Sequence, residues 1–279
     1  MNLSPTQPTS QGCGTLEVEF IAGRTVVTRA RAHSPLKWLL PQRKTQAAWA
    51  FSSTFGGGLV GGDRIEMQVG VREGASAVLA TQSSTKVYRC LPETQCLQFL
   101  RANVERDALL VVAPDPVTCF AGASYEQQQI IRLAPEATLV YVDWLTSGRR
   151  ARGESWAFSR YQTRLDIDFD GERLLTDSLL LDPGDGPLHS PYRMGQFHCC
   201  AVVVMCGPQS AEASAALLNE VGNRPIEPEQ TVIDSVSPLK SGAIWRIAGQ
   251  TTESVAQVLK NRLEFLKPIL GDSPWGRKW

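Results

Sequence analysis

Phe55-Gly56-Gly57-Gly58-Leu59-Val60-Gly61-Gly62-Asp63-Arg64 runs straight into Ile65-Glu66-Met67-Gln68-Val69-Gly70-Val71. Glycine visits positive φ without steric cost and lets other atoms approach the backbone closely, so this run is a demand on the main chain. Ile65, Met67, Val69 and Val71 alternate with Glu66, Gln68 and Gly70, the period of a strand with one buried face. Gly56, Gly58 and Gly61 match the G-x-G-x-x-G spacing of a dinucleotide loop. That loop works by presenting a helix N-terminus to the pyrophosphate, and here a strand pattern follows. No Gly-Lys-Ser/Thr closes the run as a Walker loop would. A bulged turn at a sheet corner fits best. A nucleotide-dependent oxidoreductase using Gly56 to Gly61 remains the alternative.

Outward from this corner the chain reads as many short strands. Leu16, Val18 and Phe20 alternate with charged neighbours, residues 25–32 form the neighbouring strand, and residues 36–40 are too few for a stable helix. Strand patterns continue at residues 75–80, 95–104, 108–112, 127–133 and 138–145, with prolines 114 and 116 breaking one of them. Asp170-Gly171 between two amphipathic runs is a hairpin signal. Helical periodicity is confined to residues 211–221 and 252–266, the second capped by Thr251 or Thr252 and stopped by Pro268. Between them the prolines 225, 228 and 238 suggest irregular chain, then a strand at 242–248. No internal repeat stands out. The sequence predicts a mainly β protein: a disordered tail over residues 1–14 and one domain over residues 15–279.

The bulk numbers exclude more than they identify. In 279 residues, 28 basic side chains balance 28 acidic ones, so no electrostatic footprint for nucleic acid or an anionic membrane is expected. No apolar run approaches the roughly 20 residues of a bilayer span, and the polar N-terminus lacks the apolar stretch of a secretory signal. Seven irregularly spaced cysteines without a C-x-x-C point to free thiols and a cytoplasmic setting.

Candidate chemistry is sparse. His198, Cys199 and Cys200 form the one soft cluster; in a strand His198 and Cys200 share a face, where two ligands could meet. Asp63, Asp143 and Asp177 each sit in or beside an apolar strand pattern, where a charge is costly unless paired or hydrated. They could line a polar passage for a cation. They could equally pair with arginines, Asp143 with Arg149 for instance. Arg149, Arg150 and Arg152 between two glycines make a basic loop in which Glu154 can pair one of them.

Several blocks, in order, carry a resemblance: residues 55–63; Thr81-Gln82-Ser83-Ser84-Thr85-Lys86-Val87-Tyr88-Arg89; Pro114-Asp115-Pro116-Val117-Thr118-Cys119-Phe120; Val142-Asp143-Trp144-Leu145-Thr146-Ser147-Gly148-Arg149 with Arg152-Gly153-Glu154-Ser155-Trp156; and Leu266-Lys267-Pro268-Ile269-Leu270-Gly271. Together they resemble the urease accessory protein UreD (UreH) family, the third and fourth blocks most nearly its plant and fungal members. Residues 181–244 match only loosely. The resemblance implies a layered, helix-like arrangement of β-sheets with two C-terminal α-helices, and a maturation chaperone, not an enzyme. It implies UreF-like and UreG-like partners, apo-urease as client, and no tightly bound cofactor, with nickel in transit. An internal passage proposed for the family would give Asp63, Asp143 and Asp177 their work, since weak oxygen ligands release a borderline cation that sulfur or imidazole would trap. Gly57, Gly58, Gly61, Gly62, Ser84, Lys86, Tyr88, Arg89, Arg149, Arg152 and Glu154 are the matching motif positions, implied to line the passage or touch partners.

Overall fold

The alternation that begins at Ile65 belongs to a chain winding between two sheets. The computed structural model describes residues 11–41, 45–227 and 229–276. An N-terminal hairpin, β1 (Gln11–Ile21) and β2 (Arg24–Ala32), leads to β3 (Leu36–Leu39). Winding then starts: β4 (Ala48–Thr54) lies in one sheet and β5 (Arg64–Val71) in the other. It repeats through β6 (Ser76–Thr81), β7 (Thr85–Val87) and β8 (Cys96–Val104), then β9 (Leu109–Val112), β10 (Val117–Cys119) and β11 (Ser124–Leu133). A last coil comprises β12 (Thr138–Thr146) and β13 (Arg160–Phe169), with β14 (Glu172–Leu181) as a hairpin on β13. The chain ends with β15 (Cys199–Cys206), α1 (Ala211–Gly222), β16 (Val232–Leu239), β17 (Gly242–Gly249), α2 (Thr252–Arg262) and α3 (Leu266–Leu270).

The first sheet runs β14-β13-β11-β8-β5-β1-β2 and the second β16-β17-β15-β12-β9-β6-β4-β3. Pairing is parallel from β1 through β5, β8 and β11 to β13, and from β4 through β6 and β9 to β12. Antiparallel strands flank both sheets. This is a two-sheeted β-solenoid, the layered, helix-like winding expected.

Two kinds of corner hold the coils in step. The tight corners span residues 72–75, 105–108 and 134–137, each closed by a hydrogen bond from its last to its first residue. Their third residues, Gly74, Asp107 and Glu136, all have positive φ, and Pro135 takes the second position, the pattern of type II turns. Ala75, Ala108 and Ala137 close the turns, fully buried one above another. The wide corners contain the sequence blocks described above. Leu59 N donates to Lys86 O and Tyr88 N to Leu59 O, both at 2.8 Å; β10 pairs with β7 on one side and β12 on the other. Four successive corners thus stack in one short parallel ladder. Gly58 is required by proximity: a Cβ there would lie 2.6 Å from the Tyr88 ring and 2.7 Å from Lys86 O.

Apolar side chains of both sheets meet between them, including Leu16, Ile65, Leu110, Ile131, Leu139 and Ile167. The far face of the second sheet is covered by the helices, with Trp49, Val111, Val142 and Val203 against Leu217, Val255, Leu259 and Leu266. The central strands of that sheet, β9, β12 and β15, are buried on both faces and read as continuous apolar runs, whereas the first sheet alternates.

Four local readings change or gain detail. β1 starts at Gln11, so residues 11–14 belong to the first sheet and not to a tail; residues 1–10 lie outside the described residues. Residues 36–39 are a strand. Residues 232–239 are also a strand, whose Pro238 is tolerated because β16 is a sheet edge. The last helix divides, α2 ending at Arg262 and Pro268 lying in the first turn of α3, where its missing N–H needs no partner. The Thr251 cap is as expected, accepting from Ser254 N at 3.1 Å.

Substitution at the two corner types should separate backbone strain from crowding. Gly74 has φ +68° and open space around it, so Gly74→Ala should cost about 1–2 kcal/mol, the penalty for a left-handed residue. Gly58→Ala should lower the thermal midpoint further, because the obstacle includes a backbone carbonyl. An unchanged midpoint for Gly58→Ala would contradict the stacked-corner packing.

Candidate functional site: a polar row between the sheets

In a strand, residues of one parity face the same way. On β11 the inward set is Tyr125, Gln127, Gln129 and Ile131; on β13 it includes Tyr161 and Thr163; on β12, Tyr141 and Asp143. Polar groups therefore enter an otherwise apolar core at one level of the solenoid. Gln127 Nε2 donates to Asp143 Oδ2 at 2.7 Å and Thr163 Oγ1 donates to the same oxygen at 3.1 Å. Tyr125 OH donates to Gln127 Oε1 at 3.2 Å, and Tyr161 OH lies 3.2 Å from Gln127 Nε2.

Three adjoining cavities run through this level. The first, about 130 Å³, is lined by Gly57, Gly58, Ser84 and Lys86 at the wide corner together with Ser52, Thr81 and Gln98. It shares Ser52, Thr81, Thr85 and Gln98 with a second, about 50 Å³, that also meets Asp115, Gln127, Gln129, Tyr141 and Asp143. Tyr141 and Asp143 are shared in turn with a third, about 40 Å³, lined by Tyr161, Thr163, Asp177 and Cys200. A water needs about 10–15 Å³ of such space, so each has room for water or a small cation. Gln129 Oε1 is buried beside the second cavity with no hydrogen-bond partner among the described residues, an acceptor that water or a cation there would satisfy.

Asp143 is the central charge. It is half-buried and lines the second and third cavities. Burial pushes its carboxyl above the ordinary value, aided by the nearby Asp177 charge and opposed by the hydrogen bonds from Gln127 and Thr163. Among the described residues no arginine pairs with it: Arg149 is bound to Glu154 by two hydrogen bonds, one from Nε at 2.9 Å. Asp177 lines the third cavity and accepts from Arg246 Nη2 at 2.5 Å.

Asp63 stands apart from the row. Its Oδ2 accepts from Val60 N at 2.9 Å and it lines none of the three cavities, so its geometry is that of a cap on the glycine turn. Gly61 packs beside Thr94, and Gly62 N donates to Gln95 O at 3.0 Å. Leu59, Val60, Gly62 and Asp63 N–H are all engaged, and with β5 following, the run lacks the helix N-terminus of a dinucleotide loop. Tyr88, Phe120 and Arg149, each half-buried, stack at the wide corners. The two rings meet edge to face at 5.2 Å, and the guanidinium sits 3.9 Å from the Phe120 centroid. Arg149 holds the Glu154 carboxyl below its ordinary value, while Arg89 and Arg152 are exposed nearby.

Cys200 and Cys199 divide as strand parity demands, Cys200 lining the third cavity and Cys199 facing the helices. His198 is engaged elsewhere: its Nδ1 lies 3.2 Å from both Ser147 Oγ and Ser155 Oγ. Among the described residues no three His, Cys, Asp or Glu side chains gather as a metal site. Gln98, Asp115, Gln127, Gln129 and Thr163 were not singled out from sequence. The signal for the β11 pair was parity: two glutamines in step with Tyr125 and Ile131.

Fold and site together define a β-solenoid scaffold with a polar row of cavities opening at a glycine-rich corner. A family model described as UreD urease accessory protein matches residues 10–279. A protein of Sorangium cellulosum named urease accessory protein UreD is 48% identical over 269 residues, covering 96% of this chain and 84% of its own. Urease accessory protein D of Oryza sativa subsp. indica is 36% identical (94% of each chain), and that of Arabidopsis thaliana 35% (94% of this chain, 99% of its own). The chain belongs to the UreD urease accessory protein family.

A carboxyl raised by burial binds its proton more tightly folded than unfolded. The folded state therefore loses stability as pH rises from the ordinary value of 3.8 through the raised one. Asp143→Asn keeps an acceptor for Gln127 and Thr163 without the charge. Its thermal midpoint should exceed that of the parent at alkaline pH, by about 2–4 °C per kcal/mol relieved. The two should converge at acid pH. Parallel pH profiles would mean that Asp143 titrates as if in bulk water.

Proposed function

We propose that this chain is a urease maturation chaperone, a cytoplasmic scaffold and not an enzyme. It holds apo-urease together with a UreF-like helical partner and a UreG-like GTPase while nickel is inserted. The family match across residues 10–279 carries this reading. Nickel is cargo here and passes along the row of cavities from the glycine corner toward Asp143 and Asp177. The lining supports transit over retention: amide and hydroxyl oxygens and separated carboxylates bind a borderline cation weakly, and hydration completes its shell. Asp143 gives the cation a counter-charge midway, which offsets the cost of bringing a positive ion between two sheets. Asp177 is shared with Arg246, so its charge is partly satisfied before any ion arrives. Asp63 acts through the corner, holding the glycine turn closed beside the mouth. The partly exposed Tyr88–Phe120–Arg149 stack is the contact surface offered to partners.

Co-expression with apo-urease and the two partners tests this. With Asp143→Asn, the purified urease should contain severalfold less nickel while the chain still co-purifies with the UreF-like protein. Normal nickel in Asp143→Asn, in Asp177→Asn and in the double variant would defeat the passage. Failure of the unaltered chain to co-purify with any of the three proteins would defeat the chaperone reading itself.

A further inference from the structure

Away from the cavities, the second wide corner brings two thiols together. Cys90 follows β7, Cys96 opens β8, and the mostly exposed residues 91–95 loop between them so that the sulfurs lie 3.9 Å apart. Their surroundings differ. Cys96 is fully buried with its Sγ 3.0 Å from Val60 O of the glycine run. Cys90 is half-buried and lines an open surface cleft with Arg89, Gly122 and Ser124. Ser124 N donates to Cys90 Sγ at 3.4 Å, a bond that favours a thiolate there. Hydrogen bonding from the Cys96 thiol, then from the Ser124 backbone, draws the Cys90 thiol down to about 6, against burial and the Asp63 charge. The same pairing, with burial, raises Cys96. Burial raises Cys119, Cys199, Cys200 and Cys206 as well. The pair is therefore asymmetric: an accessible nucleophile in front of a sheltered thiol. That is the arrangement of an attacking and a resolving cysteine.

We propose that Cys90 and Cys96 form a thiol modification site whose substrate is a hydroperoxide. Cys90 Sγ attacks the O–O bond; an S–O bond forms, the O–O bond breaks, and the departing oxygen takes a proton and leaves as water or an alcohol. Cys96 Sγ then attacks the sulfenic sulfur, the S–O bond breaks, and the hydroxyl leaves as water with the Cys96 proton. Two thiols lose two electrons and the peroxide gains two. A disulfide is about 2.05 Å long, so forming it draws the sulfurs together by about 2 Å. The bond would tie the second corner shut beside the glycine run, since Gly62 N already holds Gln95 O.

The test is peptide mapping of the full chain, without reductant, after graded hydrogen peroxide, with exposed Cys13 as internal reference. The linked 90–96 peptide should appear severalfold faster than any oxidation at Cys13. Cys96→Ser should trap a dimedone adduct on Cys90, whereas Cys90→Ser should leave Cys96 unlabelled. Oxidation of Cys13 ahead of the pair would overturn the proposal. So would a Cys96→Ser chain, folded by its unchanged thermal midpoint, that gives no adduct at Cys90.

Discussion

Hydrogen bonding between successive corners is the constraint from which the rest of the molecule follows. Parallel strands pair about 4.8 Å apart, so each full winding must rise by one strand spacing and return to the same register. The tight corners achieve this with a positive-φ residue at the third position, and the wide corners by laying Leu59, β7, β10 and the end of β12 against one another. Because side-chain direction alternates, a slip of one residue anywhere in this ladder would turn an entire inward set outward. The corners thus decide which groups face the interior.

What they place there is unusual for a core. Gln127, Gln129 and Thr163 are buried, Asp143 lines two of the cavities, and among the described residues no cationic side chain pairs with Asp143. An apolar core would be more stable, since burying a carboxylate costs more than such bonds return. The polar level makes physical sense if its occupants are water and a passing cation. The neighbouring corner surface has the opposite character: its charges, Arg149 with Glu154, are paired at the rim, where such pairs add little stability.

Much of the fold was legible because strand period and turn chemistry are local. The β content, the Asp170-Gly171 hairpin, both C-terminal helical segments and the corner role of the glycine run all follow from neighbouring residues. Apart from the family resemblance, the winding was not legible in the residue pattern, because what repeats is a conformation and not a residue type: the same positive φ is filled by Gly74, Asp107 and Glu136. Asp143 was conspicuous as a charge in an apolar run. Gln127 and Gln129 were not, since an amide in a strand carries no charge to mark it. Asp63 looked equivalent to Asp143 by the same criterion, and only the turn geometry separates a cap from a lining group.

The central claim is that open space between the sheets carries an ion through the protein. Ser52 is uncharged and lines both of the first two cavities. Replacing it with phenylalanine blocks their junction without altering charge, and the nickel content of co-expressed urease then reads conduction directly. The account predicts urease largely devoid of nickel although the Ser52→Phe chain folds and keeps its partners. Fully loaded urease beside a chain whose blocked junction is confirmed in a crystal structure would contradict it.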